Sequence, residues 1–175
     1  MTELMTTRAP TTRDRADLAD LAASILFAAV RVGLGLLWLH EGYVKLRAHF
    51  GSADTLLVVD GASANSRVPE YFHFVAEHLL RPTAHLAGVM TPLTEVTLGL
   101  VLVLGVFSTQ AAIVSAALLA VYWSSDQLIA QYPIMAVLSV GVIAGQGYSN
   151  RWSVMTLVHR RSSTSSALAA TDGSA

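Results

Sequence analysis

Two ionisable residues stand inside long apolar stretches of this chain, Arg31 in the first and Glu95 in the second. A charge at the centre of a bilayer costs about 2.5–3.5 kcal/mol on insertion scales, so such residues are rare and are paired or functional. His85 lies on the same stretch as Glu95, and His40, Glu41 and Lys45 close the first stretch. Carboxylates and imidazoles pass protons, while arginine and lysine hold anions or polarise carbonyls. Together these six residues could carry proton-coupled chemistry on a small ligand inside a membrane. A purely structural Arg31–Glu95 ion pair is the other reading, and the two can coexist.

Spacing groups these residues on two helix faces. Arg31, Gly35, Trp38, Gly42 and Lys45 recur at alternating steps of four and three, as do His85, Gly88, Pro92, Glu95 and Gly99. Faces that mix small residues with ionisable ones turn toward each other and away from lipid. An antiparallel pair with Arg31 opposite Glu95 also sets Gly42 opposite His85. That register brings His85 near His40, Glu41 and Lys45 and makes a polar track from the membrane surface to its middle, the mark of a ligand, ion or proton pathway.

The elements that must hold this track are membrane helices. Of 175 residues, 53% are hydrophobic and 13% charged, whereas soluble domains carry about 25% charged residues. The expected fold is all-α, an integral membrane four-helix bundle with a short interfacial helix in its first outer loop. Spans are expected at about 21–46, 84–107, 111–128 and 133–147, inside a transmembrane domain of 21–148. A disordered tail precedes it (1–20) and a solvated tail follows (149–175). The last two spans are short against the roughly 20 residues a crossing needs, and a re-entrant pair is their alternative. The apolar run from Leu21 is too long for a signal peptide and reads as an uncleaved first helix. Ser108-Thr109-Gln110 reads as a tight turn, and Pro133 suits a first helical turn.

In the first loop, Val68, Tyr71, Phe72, Val75 and Leu79 share one helical face, opposite Glu70, His73 and Glu77. This is an interfacial helix that anchors the loop or roofs a pocket between the spans. Arg8, Arg13, Arg15, Arg151, Arg160 and Arg161 outnumber Lys45, Arg47, Arg67 and Arg81, which places both termini in the cytoplasm of a multi-pass cell-membrane protein.

Other features are bland. Glu41 and Lys45 are spaced to pair along the helix, and Lys45 can snorkel. His40 and His85 lie too near the surface to favour haem, and His73 with Glu77 makes no metal site. Asp126 reads as a helix-end residue. Ala112, Ala116 and Ala120, and Gly141 with Gly145, are packing devices, within the bundle or in a homo-oligomer. A net charge of −1 with scattered basic residues gives no nucleic-acid footprint. There is no cysteine, hence no disulfide, cysteine-bound cluster or c-type haem attachment within the chain. P-loop, dinucleotide-binding and nucleophile-elbow patterns are absent.

The stretch from Arg31 through Gly42-Tyr-Val-Lys45-Leu46, and the stretch from Thr94-Glu95 through Gly99 to Ser108-Thr109, resemble the signatures of the DoxX family. The long first loop is similar to the DoxD-like branch, which includes the membrane subunit of thiosulfate:quinone oxidoreductase. The third and fourth spans match only in hydropathy and length. That branch often carries an acidic residue followed by histidine at the outer end of the third span; here Asp126 is followed by Gln127. The resemblance implies the membrane subunit of a quinone-linked oxidoreductase, with electron transfer from thiosulfate to quinone as the reaction it suggests. Glu95 and His85 would then act as catalytic proton carriers. Arg31, His40, Glu41 and Lys45 would bind quinone or substrate, with Lys45 meeting thiosulfate. Quinone would be a substrate, with no covalent cofactor and no metal, and a second oxidoreductase subunit would be the partner. A non-enzymatic scaffold recruiting soluble redox or stress-defence enzymes is the alternative, and a small-solute or proton transporter the third.

Overall fold

The computed structural model describes residues 12–127 and 129–149 and contains helices and no strand among them. The order is α1 Thr12–Arg47, α2 Ser52–Ala64, α3 Glu70–Val75, a π-turn Ala76–Leu80, α4 Ala84–Leu104, α5 Ser108–Ser124, α6 Tyr132–Ala144 and α7 Gln146–Ser149. Of these, α1 and α4 are long and apolar enough to cross a membrane; α5 and α6 are shorter apolar helices. The expected tails at 1–11 and 150–175, Leu128, and the arginines at 8, 151, 160 and 161 lie outside the described residues.

Helix α1 begins at Thr12, so the polar segment expected to be disordered is helical for its second half. At 36 residues α1 is about 54 Å long at 1.5 Å per residue, well beyond a hydrocarbon core of about 30 Å. Its main neighbour is α4, and α6 and α7 flank it. Close approach comes from glycines. A Cβ on Gly99 would lie 2.8 Å from the Gly35 carbonyl oxygen and from Leu39 N, and one on Gly42 would lie 3.1 Å from the Pro92 carbonyl oxygen.

These contacts overturn the expected register. Gly99 faces Gly35 and Leu39, which sets Glu95 well away from Arg31, and Gly42 meets Pro92 and Val96, not His85. Arg31 consequently lies at the level of Leu102 and Val103, about 11 Å along α4 from Glu95 at 1.5 Å per residue. The two faces themselves are as expected: Arg31, Gly35, Trp38, Gly42, Gly88, Pro92, Glu95 and Gly99 are all buried, while His85 is exposed.

The turn after α4 sits earlier than expected. Gly105 takes the left-handed conformation (φ 74°), and Val106 N–H donates to the Val101 carbonyl at 3.1 Å, closing a Schellman motif. Ser108-Thr109-Gln110 is therefore the first turn of α5. Helix α5 pairs with α6 and only lightly with α4. The core between them holds Trp38, Leu34, Leu102, Ala112, Met135 and Val142. A buried hydrogen-bond chain crosses it: Trp38 Nε1 donates to Ser115 Oγ at 2.7 Å, and Ser115 and Ser139 share a bond at 2.8 Å. Outward positions are apolar, among them Leu36, Leu100, Ile113, Ile134 and Val137.

The first loop is a folded layer. Helix α2 has no counterpart in the sequence reading. The Asp54 carboxylate accepts the Gly51 N–H at 2.8 Å, satisfying one orphan donor at the start of α2. Val59 and Ala62 pack on Val68, Phe72 and Ala76 as a second small core. Of the face read from sequence, Val68 and Phe72 point inward and Tyr71 and Leu79 are exposed. Tyr71 hydroxyl still reaches Ser124 Oγ at 2.6 Å. In the π-turn, Arg81 N–H bonds the Ala76 carbonyl at 2.9 Å. Arg81 also reaches Glu77 at 2.7 Å and Asp60 at 2.8 Å, tying the turn to α2. The guanidinium, with help from Ser63, holds the Glu77 carboxyl well below the usual carboxylate range, at about 2. The layer seats on α4 where Gly88 meets Gly51; a Cβ there would lie 2.4 Å from the Gly51 carbonyl carbon.

Because Gly99 faces backbone, Gly99→Val is expected to cost about 1–3 kcal/mol through forced separation of α1 and α4. Gly33, whose Cβ would meet nothing within 4 Å, is the control: Gly33→Ala should gain up to about 1 kcal/mol from helix propensity. Thermal unfolding of the two variants in detergent checks the pair.

Candidate functional site

Helix α1 brings Glu41 and Lys45, one turn apart, to the side of α4 that carries Glu95. Lys45 Nζ forms an ion pair with Glu95 Oε1 and lies 3.5 Å from Glu41 Oε2. Glu95 is fully buried and Glu41 7% exposed. Tyr122, on α5, donates its hydroxyl to the same Glu95 Oε1 at 2.5 Å. Glu95 Oε2 has no hydrogen-bond partner among the described residues. On the other side of the lysine, Tyr132 of α6 donates to Glu41 Oε2 at 3.2 Å, and Gln131 Nε2 donates to Glu41 Oε1. One ammonium thus bridges two carboxylates, and each carboxylate is held by a tyrosine.

The aromatic rings close the cluster. Tyr122 and Tyr132 stack with centroids 5.3 Å apart, and the ammonium lies 5.1 Å from the Tyr122 centroid. A cation over a ring is attracted by its quadrupole, more strongly where water is excluded. Trp38 packs against Tyr122 at 6.3 Å, so the Trp38–Ser115–Ser139 chain and the charged cluster share a wall. Helices α1, α4, α5 and α6 all contribute, which is why no single segment of sequence displays the site.

A cavity of about 210 Å³ adjoins this cluster. Lys45 and Tyr122 line it together with Thr91 of α4. Its other walls are mostly apolar: Leu118 and Val121 from α5, and Phe72 and Val58 from the loop layer as a roof. Ser125 and Gln127 also line it, and between them Asp126 (φ 56°) accepts bonds from Asn65 and Arg67, both at 2.6 Å. The end of α5 is thereby fastened to the roof.

Arg31 is not part of this site. It is 2% exposed, and its Nη1 donates to the carbonyls of Leu102 at 2.6 Å and Val103 at 3.3 Å. These belong to the last turn of α4, where carbonyls lack the i+4 donor of the helix interior and the helix dipole favours a cation; the Leu102 carbonyl also accepts the Gly105 N–H at 3.2 Å. Arg31 caps α4, and the expected Arg31–Glu95 pair does not form. His40 and His85 are exposed, so the expected polar track through His85 is replaced by Glu41–Lys45–Glu95. No group of three potential metal ligands occurs among the described residues. Sequence reading missed Tyr122, Tyr132 and Gln131. Tyrosines at the ends of apolar helices look like interface anchors, and only the fold shows them turned inward.

Lys45→Met would leave Glu95 buried without its cation. Breaking one partner of a buried pair costs about 3–5 kcal/mol, so a large fall in melting temperature is expected. Adding Glu95→Gln to that variant should restore most of the loss, because the stranded charge is then gone. A double-mutant cycle in detergent measures both.

No family model, curated protein or solved structure matches this chain.

Proposed function

We propose that the chain is an integral membrane four-helix bundle that binds a quinone headgroup in the cavity beside Lys45 and supplies it with protons. It would serve as the membrane subunit of a quinone-linked oxidoreductase. The observation that carries this reading is that Lys45 and Tyr122 both line the cavity and both bond the buried Glu95. A neutral ring with carbonyl oxygens suits a pocket with apolar walls and a few convergent donors. The apolar outward faces of α1, α4, α5 and α6 suit lipid contact.

Reduction of a quinone to a quinol takes two electrons and two protons. In this reading the electrons come from a reductant held by a partner subunit, thiosulfate being the one the resemblance implies. Lys45 donates a hydrogen bond to one quinone carbonyl. Tyr122, whose one hydroxyl proton goes to Glu95, donates to the other carbonyl once Glu95 is protonated and itself donates to the Tyr122 oxygen. Glu95 and Glu41 hold the protons passed on, and Glu41 is the slightly exposed member through which they are replaced. Lys45 is already balanced by two carboxylates, so thiosulfate is assigned to the partner and not to Lys45. His85, His40 and Arg31 have no place in the transfer.

Glu95→Gln keeps the shape and one bond to Lys45 but cannot accept a proton. Quinone reduction by the purified complex should fall by about 10²-fold or more, the usual scale for a lost proton carrier, with assembly retained. Tyr122→Phe should fall less. Full turnover in an assembled Glu95→Gln complex would remove the proton role and favour the scaffold. Proton or solute flux in liposomes without a reductant would favour the transporter.

A further inference from the structure

Helices α4 and α5 border two hollows. Beside the cavity at Lys45, a groove of about 440 Å³ is lined by Met90, Leu93, Thr97 and Val101 of α4 and by Gln110 and Val114 of α5. The two hollows lie end to end on one seam. On α4 the seam steps through Ala87, Thr91, Thr94, Leu98 and Val101; on α5 it steps through Ala111, Val114, Leu118, Val121 and Ser125. Steps of four and three keep each series on one helix face. Ala87 and Ser125 line the cavity end, Val101 and Gln110 the groove end. Helices packed seam to seam would interdigitate these side chains; α4 and α5 instead touch only lightly. Charge is confined to the cavity end, at Lys45. The groove is walled by apolar side chains, with hydroxyls at Thr94 and Thr97 and an amide at Gln110.

We propose that one amphiphile fills both hollows: a quinone whose ring sits in the cavity and whose hydrocarbon tail runs along the α4–α5 groove. The inference rests on the quinone reading above and adds the tail to it. A polar end followed by an apolar channel on one continuous seam matches the division of such a molecule. A tail leaving lipid for this groove gains little free energy, because lipid is as apolar as the groove. The tail's location, not its contribution to affinity, is therefore the quantity to measure.

The full chain in nanodiscs would be photolysed with a benzoquinone carrying a decyl chain that ends in a diazirine, and labelled residues mapped by mass spectrometry. Label is expected on Thr94, Thr97 and Val114 at several-fold the level on the outward Leu36 and Val137. Excess unlabelled decylbenzoquinone should remove it. Ala87→Leu and Leu118→Trp, which fill the cavity, should each reduce it to background; two variants are used so that one misfolded protein does not decide the result. Ring binding, read by calorimetry with a tail-less benzoquinone, separates the failures. Ring binding with no label enrichment in the groove overturns the tail assignment and leaves the cavity reading standing. Groove label that survives both cavity-filling variants shows an acyl-chain groove independent of the cavity and also overturns the proposal. No binding of either probe overturns both readings.

Discussion

The approach of α1 to α4 is the constraint on which the rest depends. Gly35 and Gly99 allow backbone to meet backbone, and Gly42 does the same against Pro92 and Val96. Once those contacts are made the register has no freedom. Lys45 arrives beside Glu95, and Arg31 arrives at the carbonyls of the last α4 turn. Each buried charge then finds a partner of the right kind. A carboxylate takes an ammonium and a tyrosine hydroxyl; a guanidinium takes carbonyls at a helix end. Burying any of these groups alone would cost several kcal/mol, so the glycine contacts and the polar contacts select the same arrangement.

The loop layer depends on that arrangement in turn. Gly88 admits Gly51 against α4, which seats α2 over the end of the helix pair. The small core of Val59, Phe72 and Ala76 holds α2 and α3 together. The bonds from Asn65 and Arg67 to Asp126, and from Tyr71 to Ser124, fasten the far side to α5. Exposed ion pairs contribute little to stability. What these bonds do supply is position: they hold the roof at both edges of the cavity while the middle is left to apolar side chains.

Sequence patterning reveals faces far better than it reveals register. The glycines, Trp38, Arg31 and Glu95 were assignable to buried faces because an alternating spacing of three and four has only one geometric meaning on a helix. Which residues sit opposite each other is a separate matter. Pairing Arg31 with Glu95 is the natural guess when both are taken as charges in search of charges. It fails because helix-end carbonyls are an equally good partner for a guanidinium, and because the side chain of Lys45 reaches Glu95 from nearer the end of α1. Helix α2 was missed because its apolar run, Leu56-Leu57-Val58-Val59, is short and followed by Asp60-Gly61, a pair that reads as a turn. The inward orientation of Tyr122 and Tyr132 exists only once α5 and α6 are packed, since each tyrosine is polarised by a carboxylate on another helix.

The charge pattern of the cluster bears on what it can hold. Two carboxylates around one ammonium leave a surplus negative charge when all three are ionised. An anionic ligand would add to that surplus in a region of low dielectric, where like charges repel strongly. A neutral ligand with carbonyl acceptors adds nothing until it is reduced, and reduction places negative charge on the same oxygens that Lys45 and Tyr122 would face. On the proposed reading, electron arrival and proton arrival are therefore coupled by electrostatics: an electron on the ring raises the demand for a proton, and the surplus carboxylate is where that proton is most favourably held. The same argument explains why Arg31 must stay out of the cluster. A second fixed cation would cancel the surplus, leave both carboxylates content without a proton, and remove the drive for transfer.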